Sequence, residues 1–173
     1  MSTVINRSTK EVRDGVTAAS FDLADWIIGV DLSPVENVPV EYWKITGDVV
    51  SEMSQAEKEA VDAGIIPLEI AAKVEELRIA TRDFIYTKYA PERQMTLAML
   101  RTEARLDGKQ DRAAYCGQVL GWIDACFTYF YTKAFEIMAC QSRAAIAAVT
   151  WDFTALEAGD PDVSIYQARM INT

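Results

Sequence analysis

The chain has 173 residues, 17 basic and 26 acidic side chains, a formal charge of −9 and no histidine. That length makes one domain, or one domain with an appended arm, and with half its residues apolar the chain buries a self-sufficient core and is not disordered. The acidic balance argues against general phosphate-backbone binding, which needs clustered Lys and Arg, and the missing His removes the commonest general base and transition-metal ligand.

Residues 1–34 sustain no period. They hold Val4 and Ile5, a turn at Asp14-Gly15 and the apolar cluster Trp26-Ile27-Ile28-Gly29-Val30, and they carry no apolar run suited to a secretory signal, so synthesis in the cytoplasm is expected. Ser33-Pro34 and Val38-Pro39 mark turns, because the residue before proline is pushed out of the helical region. This stretch reads as an extended arm with short strands at best.

Residues 35–64 read as a β-hairpin and a short helix. Tyr42-Trp43-Lys44-Ile45-Thr46 and Val49-Val50-Ser51-Glu52-Met53 are β-prone runs around a two-residue Gly47-Asp48 turn. Ser54-Gln55-Ala56-Glu57 is a capping box, in which hydroxyl and carboxylate each satisfy an orphan amide of the first turn. The helix it starts is expected to stop at Gly64.

Residues 65–149 read as an antiparallel three-helix bundle. The first helix opens at Pro67 and keeps Ile70, Val74, Leu77, Thr81 and Phe84 on one face; Ala90-Pro91 separates it from a second helix carrying Met95, Met99, Thr102 and Leu106. Asp107-Gly108-Lys109 ends that helix, and Asp111 is a suitable N-cap for the third. Short connections favour antiparallel neighbours. From Tyr115 to Met138 the third helix holds seven of the chain's seventeen aromatic residues and only Asp124, Lys133 and Glu136 as charges, so it needs cover on most of its circumference, in a bundle centre or a subunit interface. Gln118 and Asp124 near the middle of its apolar stretch argue against a membrane span. Cys116, Cys126 and Cys140 are expected on this one helix, the closest pair about 15 Å apart at ~1.5 Å per residue. A disulfide needs Cα atoms within about 7 Å, so buried thiols are expected. Ser142 is placed to cap a short alanine-rich helix through Val149, and residues 150–173 read as an extended tail.

Nothing in the pattern forms a catalytic motif. Glu103, Asp107 and Asp111 are spaced by four, but Gly108 interrupts them and no calcium-loop pattern is present. Glu75 with Glu76, or Glu57 with Glu59, are too close along a helix to straddle one bond as an acid and base pair. No enzyme activity, cofactor or metal is expected. The large aromatics are assigned instead to an oligomer or docking interface: Trp122, Phe127, Phe130 and Tyr131 on the third helix, with Trp26, Trp43 and Trp151 outside it, the latter three either docking on a neighbour or folding back onto their own chain.

Two stretches are familiar. Ile5-Asn6-Arg7-Ser8-Thr9-Lys10-Glu11-Val12, Asp25-Trp26-Ile27-Ile28, Asp31-Leu32-Ser33, Val38-Pro39 and Tyr42-Trp43-Lys44-Ile45-Thr46-Gly47-Asp48 leading into Glu52-Met53 resemble a small module of tailed-bacteriophage structural proteins. Tyr86-Thr87-Lys88-Tyr89, Gln94-Met95-Thr96-Leu97 and Val149-Thr150-Trp151-Asp152-Phe153 resemble phage tail-fibre-associated proteins. The resemblance implies a non-enzymatic virion structural protein, commonly a homotrimer, that binds other tail or fibre proteins; the acidic charge and the polar residues within the apolar helix argue against nucleic-acid and membrane partners. Without a long repetitive shaft or a receptor-binding tip, the chain fits a tail-fibre or appendage adaptor, or a short accessory fibre. A fibre-assembly chaperone absent from the virion and a head or neck decoration protein are the alternatives.

Overall fold

A computed structural model describes residues 2–161. The fold is mainly helical with small antiparallel sheets near the N-terminus. It divides into two compact units, Met1–Ile65 and Ile66–Thr173, whose boundary falls within a long helix.

In the first unit, β1 (Ser2–Asn6) lies between β2 (Val12–Val16) and β3 (Trp26–Ile28), pairing antiparallel with both. The segment expected as an extended arm is therefore a sheet. Its cause is the pair Val4 and Ile5: both are fully buried, so the central strand is covered on both faces, and the short flanking strands show no sustained alternation. The expected hairpin forms from β4 (Trp43–Thr46) and β5 (Val49–Glu52), with Gly47 at φ 62° in the turn. Ile5, Ile27, Val35, Trp43 and Val50 make one core, so sheet and hairpin share their apolar faces. Two cations from the β1–β2 turn reach the hairpin as well. Arg7 donates to the Gly47 carbonyl at 2.6 Å and pairs with Asp48, while the Lys10 ammonium donates to the carbonyls of Val40, Glu41 and Trp43.

α1 (Gln55–Lys88) begins at the capping box, where the Ser54 amide and hydroxyl each donate to the Glu57 carboxylate at 2.8 Å. It then runs unbroken through Gly64 and Pro67, where a stop and a new start were expected. Both residues and Ala63 are exposed, so the carbonyl that Pro67 leaves without a donor faces water, and the glycine costs only about 1 kcal/mol.

The second unit contains the remainder of α1, α2 (Pro91–Leu106), α3 (Gln110–Met138), α4 (Arg143–Ala148) and α5 (Thr154–Ala158). Gly108, at φ 71°, turns the chain between α2 and α3, which pack as an antiparallel hairpin. α3 starts with Lys109 as its capping residue, placing Asp111 in the first turn and not at the cap. α1 meets α3 through two apolar clusters: Ile85 and Tyr89 with Cys116, Val119, Trp122 and Cys126, and Leu77 with Ala134 and Ile137. Ser142 caps α4 as expected, its hydroxyl accepting from the Ala145 amide at 3.2 Å. Residues 150–161 are not simply extended: Asp152 accepts from the Thr154 amide at 2.9 Å in a turn just ahead of α5. Residues 162–173 of the expected tail lie outside the described residues.

Two glycines separate backbone strain from helix propensity. An added Cβ meets nothing within 4 Å at either Gly47 or Gly64, yet only Gly47 has positive φ. Gly47→Ala should destabilise by about 1–2 kcal/mol and Gly64→Ala stabilise by about 0.5–1 kcal/mol in denaturant titrations. The capping box gives a pH signature. Hydrogen bonds from Lys44 and Ser54 hold the Glu57 carboxyl at about 2, below its ordinary 4.5. A lowered folded-state pKa gives a contribution fully present above the unfolded value and lost as pH falls through the folded one. The Tm gap between wild type and Glu57→Gln should therefore be widest above pH ~5 and close as the pH falls toward about 2.

Candidate docking surface

α3 is surrounded unevenly. One side packs on α1 through Ile123, Cys126, Ala134 and Ile137. A second side is covered by the chain after α4. Trp122 is 5% exposed and donates its indole N–H to the Leu156 carbonyl at 2.7 Å; Phe153 stacks on Phe84 at 4.6 Å and meets the edge of Tyr129, whose hydroxyl accepts from the Asp152 amide at 3.0 Å. An ionic latch fixes this segment. Asp160 accepts from the Lys88 ammonium at 2.8 Å and from the hydroxyl of the fully buried Tyr89 at 2.9 Å. Its hydrogen bond raises the Lys88 pKa, and burial, then the Asp160 carboxylate, raises that of Tyr89.

The third side faces α2, and here lengths decide the outcome. α2 has 16 residues and α3 has 29. The Arg101 guanidinium lies 3.6 Å from the position a Cβ on Gly117 would take, so α2 runs back along the first half of α3. Counted back from the turn at Gly108, the 16 residues of α2 reach about as far as the level of Phe127, and beyond its end α2 offers no cover. The direction that carries buried Ala113 and half-buried Leu120 beside α2 continues as Phe127, Tyr131, Phe135 and Met138, at 46, 59, 66 and 48% exposure. Steps of four, four and three residues keep these four on one helical face. It is an apolar stripe about 18 Å long, edged by Thr128, Thr132 and Ala139. α2 has a bare stripe of its own. Leu97 and Ala104 are its buried positions, so Met95, Met99 and Leu106, expected as packing residues, point outward at 64, 68 and 83% exposure. Sequence periodicity marked only the face of Met95, Met99, Thr102 and Leu106, whereas the buried face of α2 carries Leu97 and Ala104.

The seven aromatics assigned from sequence to docking are not brought together. Trp122 and Trp43 are buried in the cores of their own units, Trp43 donating its indole N–H to the Val38 carbonyl at 2.7 Å. Phe130 is half-buried against the Leu77–Ala134–Ile137 cluster. Trp151 joins that cluster, with the Lys73 ammonium 4.8 Å from its ring centroid. Trp26 lies edge-on to Phe21 at 4.9 Å beneath the Arg13 guanidinium. Phe127 and Tyr131 lie in the bare stripe. Phe135 and Met138, which complete it, carry the same four- and three-residue spacing in the sequence.

Other features offer little chemistry. Among the described residues no group of three or more His, Cys, Asp and Glu is placed to hold a metal ion, and no helix is long and apolar enough to cross a membrane. A shallow cleft between α3 and α5 is lined by Gln118, Trp122, Ala125, Ala155, Leu156, Gly159 and Pro161, with no ionisable side chain among them. The thiols are all free, Cys116 and Cys126 buried and Cys140 half-buried past the end of α3. Burial pushes the Cys126 thiol up to about 11. With a thiol-reactive dye at pH 8, Cys140 should label in the native protein, and Cys116 and Cys126 only after denaturation. The sequence matches no family model, no curated protein and no solved structure.

Proposed function

We propose that this chain is a non-enzymatic structural protein of a tailed bacteriophage, a tail-fibre or appendage adaptor or a short accessory fibre, that self-associates and docks on other virion proteins. The carrying observation is the bare stripe of Phe127, Tyr131, Phe135 and Met138, whose side chains are half to two-thirds exposed on a helix whose other large apolar residues are buried or half-buried. A contiguous apolar strip of this kind marks a protein contact, because leaving it in water forfeits about 25 cal/mol per Å².

A structural role is also supported by where the perturbed ionisable groups are used. Lys88 with Asp160 and Tyr89 fastens the segment that follows α5, Glu57 with Lys44 and Ser54 starts α1, and Glu75 with Arg78 lies along its exposed face. Each holds a partner in the fold. The resemblance of the first stretch to a module of tailed-bacteriophage structural proteins, and of the second to tail-fibre-associated proteins, is what suggests the virion setting and the trimer. In this reading the three long helices close into a full bundle only in the assembly, where another helix fills the position that α2 leaves open.

Light scattering at two concentrations should give three times the 19.3 kDa chain mass. A monomer at both concentrations would remove self-association from the reading and favour a chaperone that binds fibre subunits without entering the particle.

A further inference from the structure

We propose that the two bare stripes are the two halves of one contact: the outer face of α2 in one copy, carrying Met95, Met99 and Leu106, lies along the open position beside α3 in the next, against Phe127, Tyr131 and Phe135. The inference rests on the self-association proposed above and names its geometry, a head-to-tail contact between second copies of this chain. Dimension, area and chemistry each support it.

The stripes match in length. Met95–Leu106 and Phe127–Met138 are stretches of equal residue number, each about 18 Å long. The incoming α2 would continue, past Phe127, the place that the copy's own α2 occupies before it. The area also fits. The seven exposed side chains leave roughly 800 Å² of apolar surface, taking ~200 Å² for each full side chain. A standard interface buries about 1,200–2,000 Å², of which a little over half is apolar. Either stripe alone supplies about half of that requirement, and a contact of the α3 stripe with itself leaves the α2 stripe in water.

Methionine thioethers are favourable and adaptable partners for aromatic ring edges, and here one stripe has two methionines where the other has three aromatic rings. The charges stand at the margins of the stripes. Glu92 and Glu103 edge the α2 stripe and Asp124 lies one turn before Phe127 at the start of the α3 stripe, while Thr128, Thr132 and Ala139 edge the rest of it and Lys133 and Glu136 pair with each other at 2.7 Å. A contact that uses a different face on each copy leaves one of each unsatisfied in any open chain, and rotation closes it into a ring. A three-membered ring accounts for the trimer with one kind of contact.

Met99→Glu and Phe135→Glu, each at a side chain at least 66% exposed, test the geometry by complementation. Each variant, with circular dichroism unchanged from wild type, should have a third of the wild-type mass on its own. Mixed in equal amounts they should form a one-to-one complex, because the intact α3 stripe of the first accepts the intact α2 stripe of the second. If wild type is oligomeric and Met99→Glu keeps the wild-type mass, or if the mixture stays monomeric, the head-to-tail contact is wrong while self-association stands. A monomeric wild type overturns both.

Discussion

The apolar circumference of α3 is the constraint around which the second unit is arranged. A helix with large apolar groups on three sides needs three kinds of cover, and the chain provides them by different means: α1 along one side, the segment from Val149 to Pro161 along another, and α2 along the third. The first two are made secure by polar contacts that dry packing alone does not provide. Trp122 and Tyr129 each satisfy their polar atom on the backbone of the returning segment, and Asp160 ties its end to Lys88 and Tyr89. The third cover is shorter than the helix it serves, and the exposed stripe follows from that difference in length.

The first unit solves a different problem with similar means. A two-stranded hairpin is marginal by itself, and β4–β5 shares one core with the three-stranded sheet. Lys10 takes an unusual backbone conformation for a residue other than glycine, φ 58°, and in it the ammonium reaches three carbonyls around Trp43. Arg7 holds the hairpin turn from the same loop. The local strain is offset by these charge-assisted hydrogen bonds to carbonyls, of which that of Val40 also accepts from the Trp43 amide.

Local signals with a stereochemical mechanism were legible in the sequence. The hairpin at Gly47-Asp48, the capping box at Ser54, the turn at Gly108 and the cap at Ser142 each rest on a residue type that a few neighbouring atoms require. Signals that depend on distant partners were not. Gly64 and Pro67 look like helix ends until their exposure is known, and Val4 with Ile5 looks like an arm until β2 and β3 are seen beside it. Composition could mark α3 as a helix needing cover, but which of its aromatics stays bare depends on where α2 ends. Trp122 and Phe127 are alike in sequence and differ in fate because one lies beneath Leu156 and the other level with the start of α2.

The claim that assembly covers the open side of α3 is tested most directly by hydroxyl-radical footprinting across a dilution series. The account predicts that Phe127, Tyr131, Phe135 and Met138 are oxidised readily in dilute protein and become protected together as concentration rises, while Leu23, 65% exposed in the first unit, keeps its reactivity. Oxidation of the four residues that is the same at every concentration would contradict it.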